Sequence, residues 1–264
     1  MRPTYPLFIL LGLLPACGDS AGNDDATAGE TTGDTSTGDT PTTGAGDLNE
    51  RELGASATPA CVAAKTHVAA LFTAATAGDA AAASAAYTGS PLQTYVKQLD
   101  GLGERSDDVD ISAWLSDGSA PALAAAAARV QVAYVRHLRD NLGAVETGTP
   151  DGFAAWDEAH CLWEAGVRPL AQEADAVTWH SFDETITADI DAALADGHDA
   201  IGGEPPNTTI DDWRIPPNKQ RAEKSVFRAA QRVIVELAGE ARADADPVAA
   251  RRALELFAIV EDRL

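Results

Sequence analysis

Basic residues are scarce in this chain, with 19 Lys and Arg against 41 Asp and Glu, a formal net charge of −22. A surface of that sign repels nucleic acid and attracts cations, so a nucleic-acid partner is excluded. Beta-branched residues are sparse and scattered, which argues against sheets. No Gly-x-Ser-x-Gly, no glycine-rich phosphate loop and no His-Glu-x-x-His occurs. The nucleophilic, phosphate-cradling and zinc-protease chemistries those patterns serve are therefore unsupported, and no catalytic residue is expected. Long apolar runs are missing too. The N-terminal run, Leu7 to Leu14, is too short to cross a bilayer.

That short run has a role of its own. One base, Arg2, precedes it, and it ends in Leu14-Pro15-Ala16-Cys17. This is the build of a secretory signal, and "LPAC" resembles a bacterial lipobox, in which cleavage precedes a cysteine that then carries lipid. An ordinary signal peptide cut elsewhere is the alternative. Residues 1–16 are thus expected to be a lipoprotein signal, with Cys17 anchoring the protein to a bacterial membrane, the outer membrane first. Residues 17–50 follow as a tether. From 18 to 46 there is no Val, Ile, Leu or aromatic residue, only Gly, Ser, Thr, Asp and their like. Nothing there can be buried to offset the entropy of ordering. The folded domain is expected over 51–264, large enough for a real core. It keeps 33 acids and 18 bases, because the first 50 residues hold eight acids and one base.

Only three cysteines are present. With Cys17 lipidated, Cys61 and Cys161 remain in an oxidising compartment, and a Cys61–Cys161 disulfide is predicted. Two buried free thiols are the alternative.

Alanine is abundant and apolar residues recur at helical spacing. Thr58-Pro59 opens one helix that Gly78 closes; another restarts at Asp79; a short one covers about 107–116 and a long one about 120–143. Thr149-Pro150 opens the next, Gly197 ends the one after, and Asp246-Pro247 opens the last. The fold class is all-α, a bundle of about eight helices. The sequence also echoes itself. "DISAWLSDG" (110–118) matches "DIDAALADG" (189–197), and "VQVAYVRHLRDNLG" (130–143) matches "VFRAAQRVIVELAG" (226–239), with Arg136 against Arg232. Two diverged copies of one helical unit would explain this.

Chemically able side chains concentrate in "DGFAAWDEAHCLWEAGVRPLAQEAD", residues 151–175. On a helix Phe153, Trp156, His160, Trp163 and Val167 share a face, with Asp157 and Glu164 beside it. Asp157 lies at i−3 and Glu164 at i+4 from His160, so both can reach the imidazole. Two readings stand. His160 is a packed histidine satisfied by one carboxylate, or Asp157, His160 and Glu164 ligate a metal such as iron, manganese or zinc. A metal would need a further ligand, for which His67, His180, Asp183 and Glu184 are the candidates. The di-iron pattern is absent, because Asp157-x-x-His160 occurs once and has no partner. His198, after Gly197, reads as a surface histidine at a helix C-terminus. Arg221, Lys224, Arg228 and Arg232 form a basic stripe that meets carboxylates of neighbouring helices or lines an anion groove.

"AAYTGSPLQ" (85–93), "AAWDEAHCLWEAGVRPLA" (154–171) and "ITADIDAALADGHDAI" (186–201) together resemble the low iron-inducible periplasmic protein family. That family carries a Trp-Asp-Glu-Ala-type helix, then an aromatic residue and glycine, then a segment ending Ile-x-x-Ala-Leu-x-x-Gly. Trp156, Asp157, Glu158 and Ala159 match the first part, Trp163 and Gly166 approximate the second, and Ile190, Ala193, Leu194 and Gly197 match the third. The chain departs from it where Trp163-Glu164-Ala165-Gly166 replaces the usual tyrosine before the glycine, and after Pro169, where the segment is shorter. The resemblance covers most of 60–264. It implies an all-helical extracytoplasmic protein with an iron-linked role, and no ligand residues transfer with it. The expected function is a non-enzymatic binding lipoprotein, tethered through Cys17 and linked to iron or another divalent metal. A structural or protein-interaction lipoprotein without a small ligand is the alternative.

Overall fold

The computed structural model describes residues 52–103, 105–146, 152–177, 185–202 and 213–261. The expected signal, the expected lipid site at Cys17 and the expected tether lie outside these residues. Among the described residues every regular element is helical and no strand occurs, so the all-α expectation holds. The order is α1 (Pro59–Ala77), α2 (Ala80–Tyr87), α3 (Pro91–Gly103), α4 (Asp107–Asp117), α5 (Ala120–Glu146) and α6 (Gly152–Leu162). A π-helical turn (Trp163–Val167) then leads into α7 (Arg168–Ala176), α8 (Ile186–Gly202), α9 (Ile215–Asp244) and α10 (Pro247–Glu261).

The ends of these helices follow from their capping residues. Thr58 Oγ1 accepts from the Cys61 N–H at 3.2 Å, Pro59 occupies the first turn, and Gly78 closes α1 at φ +69°. Asp79 caps α2 through the Ala82 N–H at 2.9 Å, and Asp246 takes the Val248 N–H at 2.8 Å in front of α10. The helix expected to restart at Asp79 is interrupted, giving α2 and then α3. Gly89 sits at φ +72°, and the buried Ser90 hydroxyl donates to the Tyr87 carbonyl at 2.6 Å.

The core gathers around α5, which packs against α1, α4, α6, α9 and α10. Leu123, Val130, Tyr134, Leu138 and Leu142 of α5 meet Val68 and Leu71 of α1 and the tryptophans Trp156 and Trp163, all fully buried. By length and composition α1 is apolar enough to cross a membrane. Here its Cys61, Ala64, Val68, Leu71 and Ala74 lie in the core.

The two echoing segments are built alike in one detail. Asp100, near the end of α3, accepts the first two N–H groups of α4, Asp107 and Asp108, at 3.0 and 2.9 Å. Asp175, near the end of α7, accepts the first two of α8, Ile186 and Thr187, at 2.6 and 3.0 Å. Each carboxylate satisfies donors that a helix start leaves open. The two segments part at their glycines. Gly118 ends α4 at φ +68°, whereas α8 continues through Gly197 to Gly202. The expected helix end at Gly197 is corrected by packing: a Cβ there would lie 1.9 Å from Cζ2 of Trp156. This glycine is a notch for an indole ring.

Candidate functional site

Helices α1 and α6 touch side by side in a nearly constant register. Thr58 meets Glu158, Cys61 meets Cys161, and Lys65 meets Glu164. Both chains advance together, so the two helices run parallel here. The predicted disulfide is present between Cys61 and Cys161, with S–S 2.07 Å and Cα atoms 6.3 Å apart, inside the reach of a disulfide. It closes a loop across a sequence separation of 100.

Two acids of α6 grip the segment 52–58 that precedes α1. Asp157 is fully buried, and its two oxygens accept from the N–H groups of Gly54 and Ser56, each at 2.8 Å. Glu158, 9% exposed, accepts from the Thr58 N–H at 2.7 Å, the Thr58 hydroxyl at 3.0 Å and the Tyr95 hydroxyl. These charge-assisted bonds offset the cost of burying carboxylates. Burial, followed by the charge of Glu158, pushes the Tyr95 phenol far above its ordinary value, so Tyr95 stays a donor. Tyr134 stands edge-on to Tyr95 with ring centroids 5.8 Å apart. Burial and Glu158 raise its phenol as well, and its hydroxyl finds no hydrogen-bond partner among the described residues.

His198 joins this latch from α8. It is 6% exposed, with Nε2 3.5 Å from Oδ1 of Asp157 and Phe153 edge-on at 5.1 Å. The expectation of a surface histidine at a helix end is thereby corrected. It failed because Gly197 does not terminate α8, which leaves the next residue turned inward.

His160 and Glu164 lie on the rim. A cleft of about 300 Å³ opens between the segment 52–57 and the start of α1, bordered by Lys65, His160, Cys161 and Glu164. Burial, the largest influence, lowers the His160 pKa, while Glu164 and Asp157 raise it and Lys65 lowers it further. The imidazole is therefore neutral at pH 7 and keeps a lone pair. Glu164 is ion-paired with Arg168 and, at 3.4 Å, with Lys65.

The trio Asp157, His160 and Glu164 does not converge. Among the described residues no group of three or more His, Cys, Asp or Glu side chains could hold a metal ion. The reason lies in their bonding. Main-chain N–H groups occupy both oxygens of Asp157, and Glu164 turns to Arg168 and Lys65. Of the further ligand candidates, His67 is half-buried on α1, and His180, Asp183 and Glu184 lie outside the described residues.

The aromatic stripe is real and pinned. Trp156 Nε1 donates to the Leu194 carbonyl at 2.7 Å, and Trp163 Nε1 to Asp191 at 2.8 Å. Arg168 joins Asp191 to Glu164 and stacks 5.8 Å from the Trp163 ring. The π-turn inserts one residue between α6 and α7, a deviation frequent at functional sites. Its Gly166 lies against Tyr134, where a Cβ would come within 2.6 Å of the ring. In the basic stripe, Arg221 meets Asp189 at 2.7 Å and Asp196 at 3.5 Å, both on α8, so this member meets neighbouring carboxylates as the sequence suggested.

Sequence reasoning missed Glu158, Tyr95, Tyr134 and His198. A signal for Glu158 existed. It precedes Cys161 by three residues as Thr58 precedes Cys61, so a disulfide between parallel helices sets the acid against the helix cap. No signal marked the two tyrosines, which come from α3 and α5. No family model, curated protein or solved structure matches this chain.

Proposed function

We propose that this is a non-enzymatic extracytoplasmic binding lipoprotein, tethered through Cys17 to a bacterial outer membrane and linked to iron or a similar divalent cation. The observation that carries the reading is the cleft beside the disulfide. His160 stays neutral there at pH 7, and Glu164 and Lys65 border the same space. A cation entering it would compete with Lys65 for Glu164 and meet the imidazole lone pair, leaving its other positions to water. The buried acids Asp157 and Glu158 act as the frame, since they hold the segment that forms the outer wall. The resemblance to the low iron-inducible periplasmic proteins and the acidic surface support the choice of cation.

Calorimetric titration of the full chain in detergent with Fe(II), under anaerobic conditions, tests the reading. Saturable binding that is lost in His160→Ala and weakened in Glu164→Ala is expected. No heat, or heat that both variants leave unchanged, contradicts it. Labelling with a radioactive fatty acid, lost in Cys17→Ser, tests the anchor. The second reading is a protein-interaction lipoprotein, and the exposed Leu254 and Phe257 on one side of α10 favour it. It predicts no ligand in the cleft.

A further inference from the structure

A second recess lies far from the cleft, and its construction differs. It has a volume of about 440 Å³, a size typical of small-molecule sites. Its floor is one face of α5, formed by Ala124, Ala127 and Gln131. Its walls come from α1, α7 and α10, with Phe72, Pro169 and Val248 among them. These three helices pack little on one another, so the space above α5 stays open. The small floor residues keep it open, since any larger side chain at 124 or 127 would fill it. Phe72 lies about 10 Å or more along α1 from Lys65, at 1.5 Å per residue, so the two recesses are separate.

Gln131 gives the recess its chemistry. The residue is 4% exposed, it lines the recess, and no hydrogen bond joins its carboxamide to a described residue. The carboxamide is not among the sealed polar groups that lack a partner, so it opens onto the water of the recess, which a ligand group can replace. The edge is neutral. Arg252 and Glu173 form a two-pronged pair at 2.7 and 2.5 Å that ties α10 to α7. With that pair self-compensated, nothing in the recess attracts a net charge.

We infer that this recess binds an uncharged, mainly apolar small molecule carrying one hydrogen-bonding head, which the Gln131 carboxamide receives. The inference stands independently of the proposed cation cleft. The floor accepts the apolar body, and the amide offers either an acceptor oxygen or donor N–H groups to the head.

The test uses N-phenyl-1-naphthylamine, an uncharged fluorophore with a single N–H, titrated into the full chain. Saturable binding of one molecule per chain is expected. Ala127→Leu fills the floor and weakens binding by about tenfold or more. Gln131→Leu keeps the shape, removes the amide and weakens binding by about fivefold, the worth of one hydrogen bond. His160→Ala leaves binding unchanged, which separates this site from the cleft. Ala75→Leu, from the α1 wall, serves as a second filling variant should Ala127→Leu fail to fold. Absence of saturable binding, more than one probe per chain, or binding that the filling variants leave intact would overturn the inference.

Discussion

Asp157 and Glu164 stand two turns apart on one helical run, and their surroundings give them opposite tasks. Asp157 is withdrawn from solvent and spends both oxygens on main-chain N–H groups of the segment before α1. Glu164 stays near the surface and pairs with two bases. The same side-chain chemistry is structural in one place and available for exchange in the other. What decides is the identity of the partner. The half-buried N–H groups of Gly54 and Ser56 have little access to a substitute acceptor, whereas Lys65 and Arg168 turn readily to water.

The largest way to disturb this arrangement is to cut the covalent bond beside it. Replacing Cys61 and Cys161 together by alanine releases a long loop in the unfolded chain. Urea unfolding is expected to show a loss of about 4–5 kcal/mol in the ideal chain-entropy picture. Asp157→Ala comes next, at about 3 kcal/mol, because two half-buried N–H groups lose their acceptor together. Hydrogen exchange at Gly54 and Ser56 should rise in that variant. Gly197→Ala drives a methyl group into Trp156 and is expected to cost about 1–3 kcal/mol, with a change in tryptophan fluorescence. Glu164→Ala should cost less than about 1 kcal/mol, as an exposed ion pair does. Equal losses for Asp157→Ala and Glu164→Ala would break the comparison.

The smallest effect is a pH dependence. Burial lowers the pKa of His160 in the folded protein, so the unfolded chain takes up its proton first. Stability from this residue is complete above the unfolded value near 6.5 and falls as pH drops below it towards the lowered folded value. His137, also lowered by burial, adds to the same window. In His160→Gln the decline as pH falls below about 6.5 should be shallower than in the parent protein.

Local punctuation was legible in the sequence. Thr58, Gly78, Asp79 and Asp246 mark helix ends as their capping chemistry dictates, and the cysteine pairing followed from the expected compartment and the count. Packing against distant residues was not legible. Gly197 carries the same letter as the terminator Gly118, and only the position of Trp156 separates the two roles. His198 was misplaced by the same step. The metal trio illustrates the limit of a helical wheel, which places Asp157 beside His160 and says nothing of the segment that claims its oxygens.

The central claim is that α6 and the π-turn after it border a cleft whose ligand-facing donors are His160 and Glu164. Paramagnetic broadening by Mn(II) in amide spectra of the labelled protein tests it most directly. Signals of Gly54, Lys65, His160 and Glu164 are predicted to broaden first, and His160→Ala to abolish the effect. Broadening that begins elsewhere on the acidic surface, or that survives His160→Ala, would contradict the account.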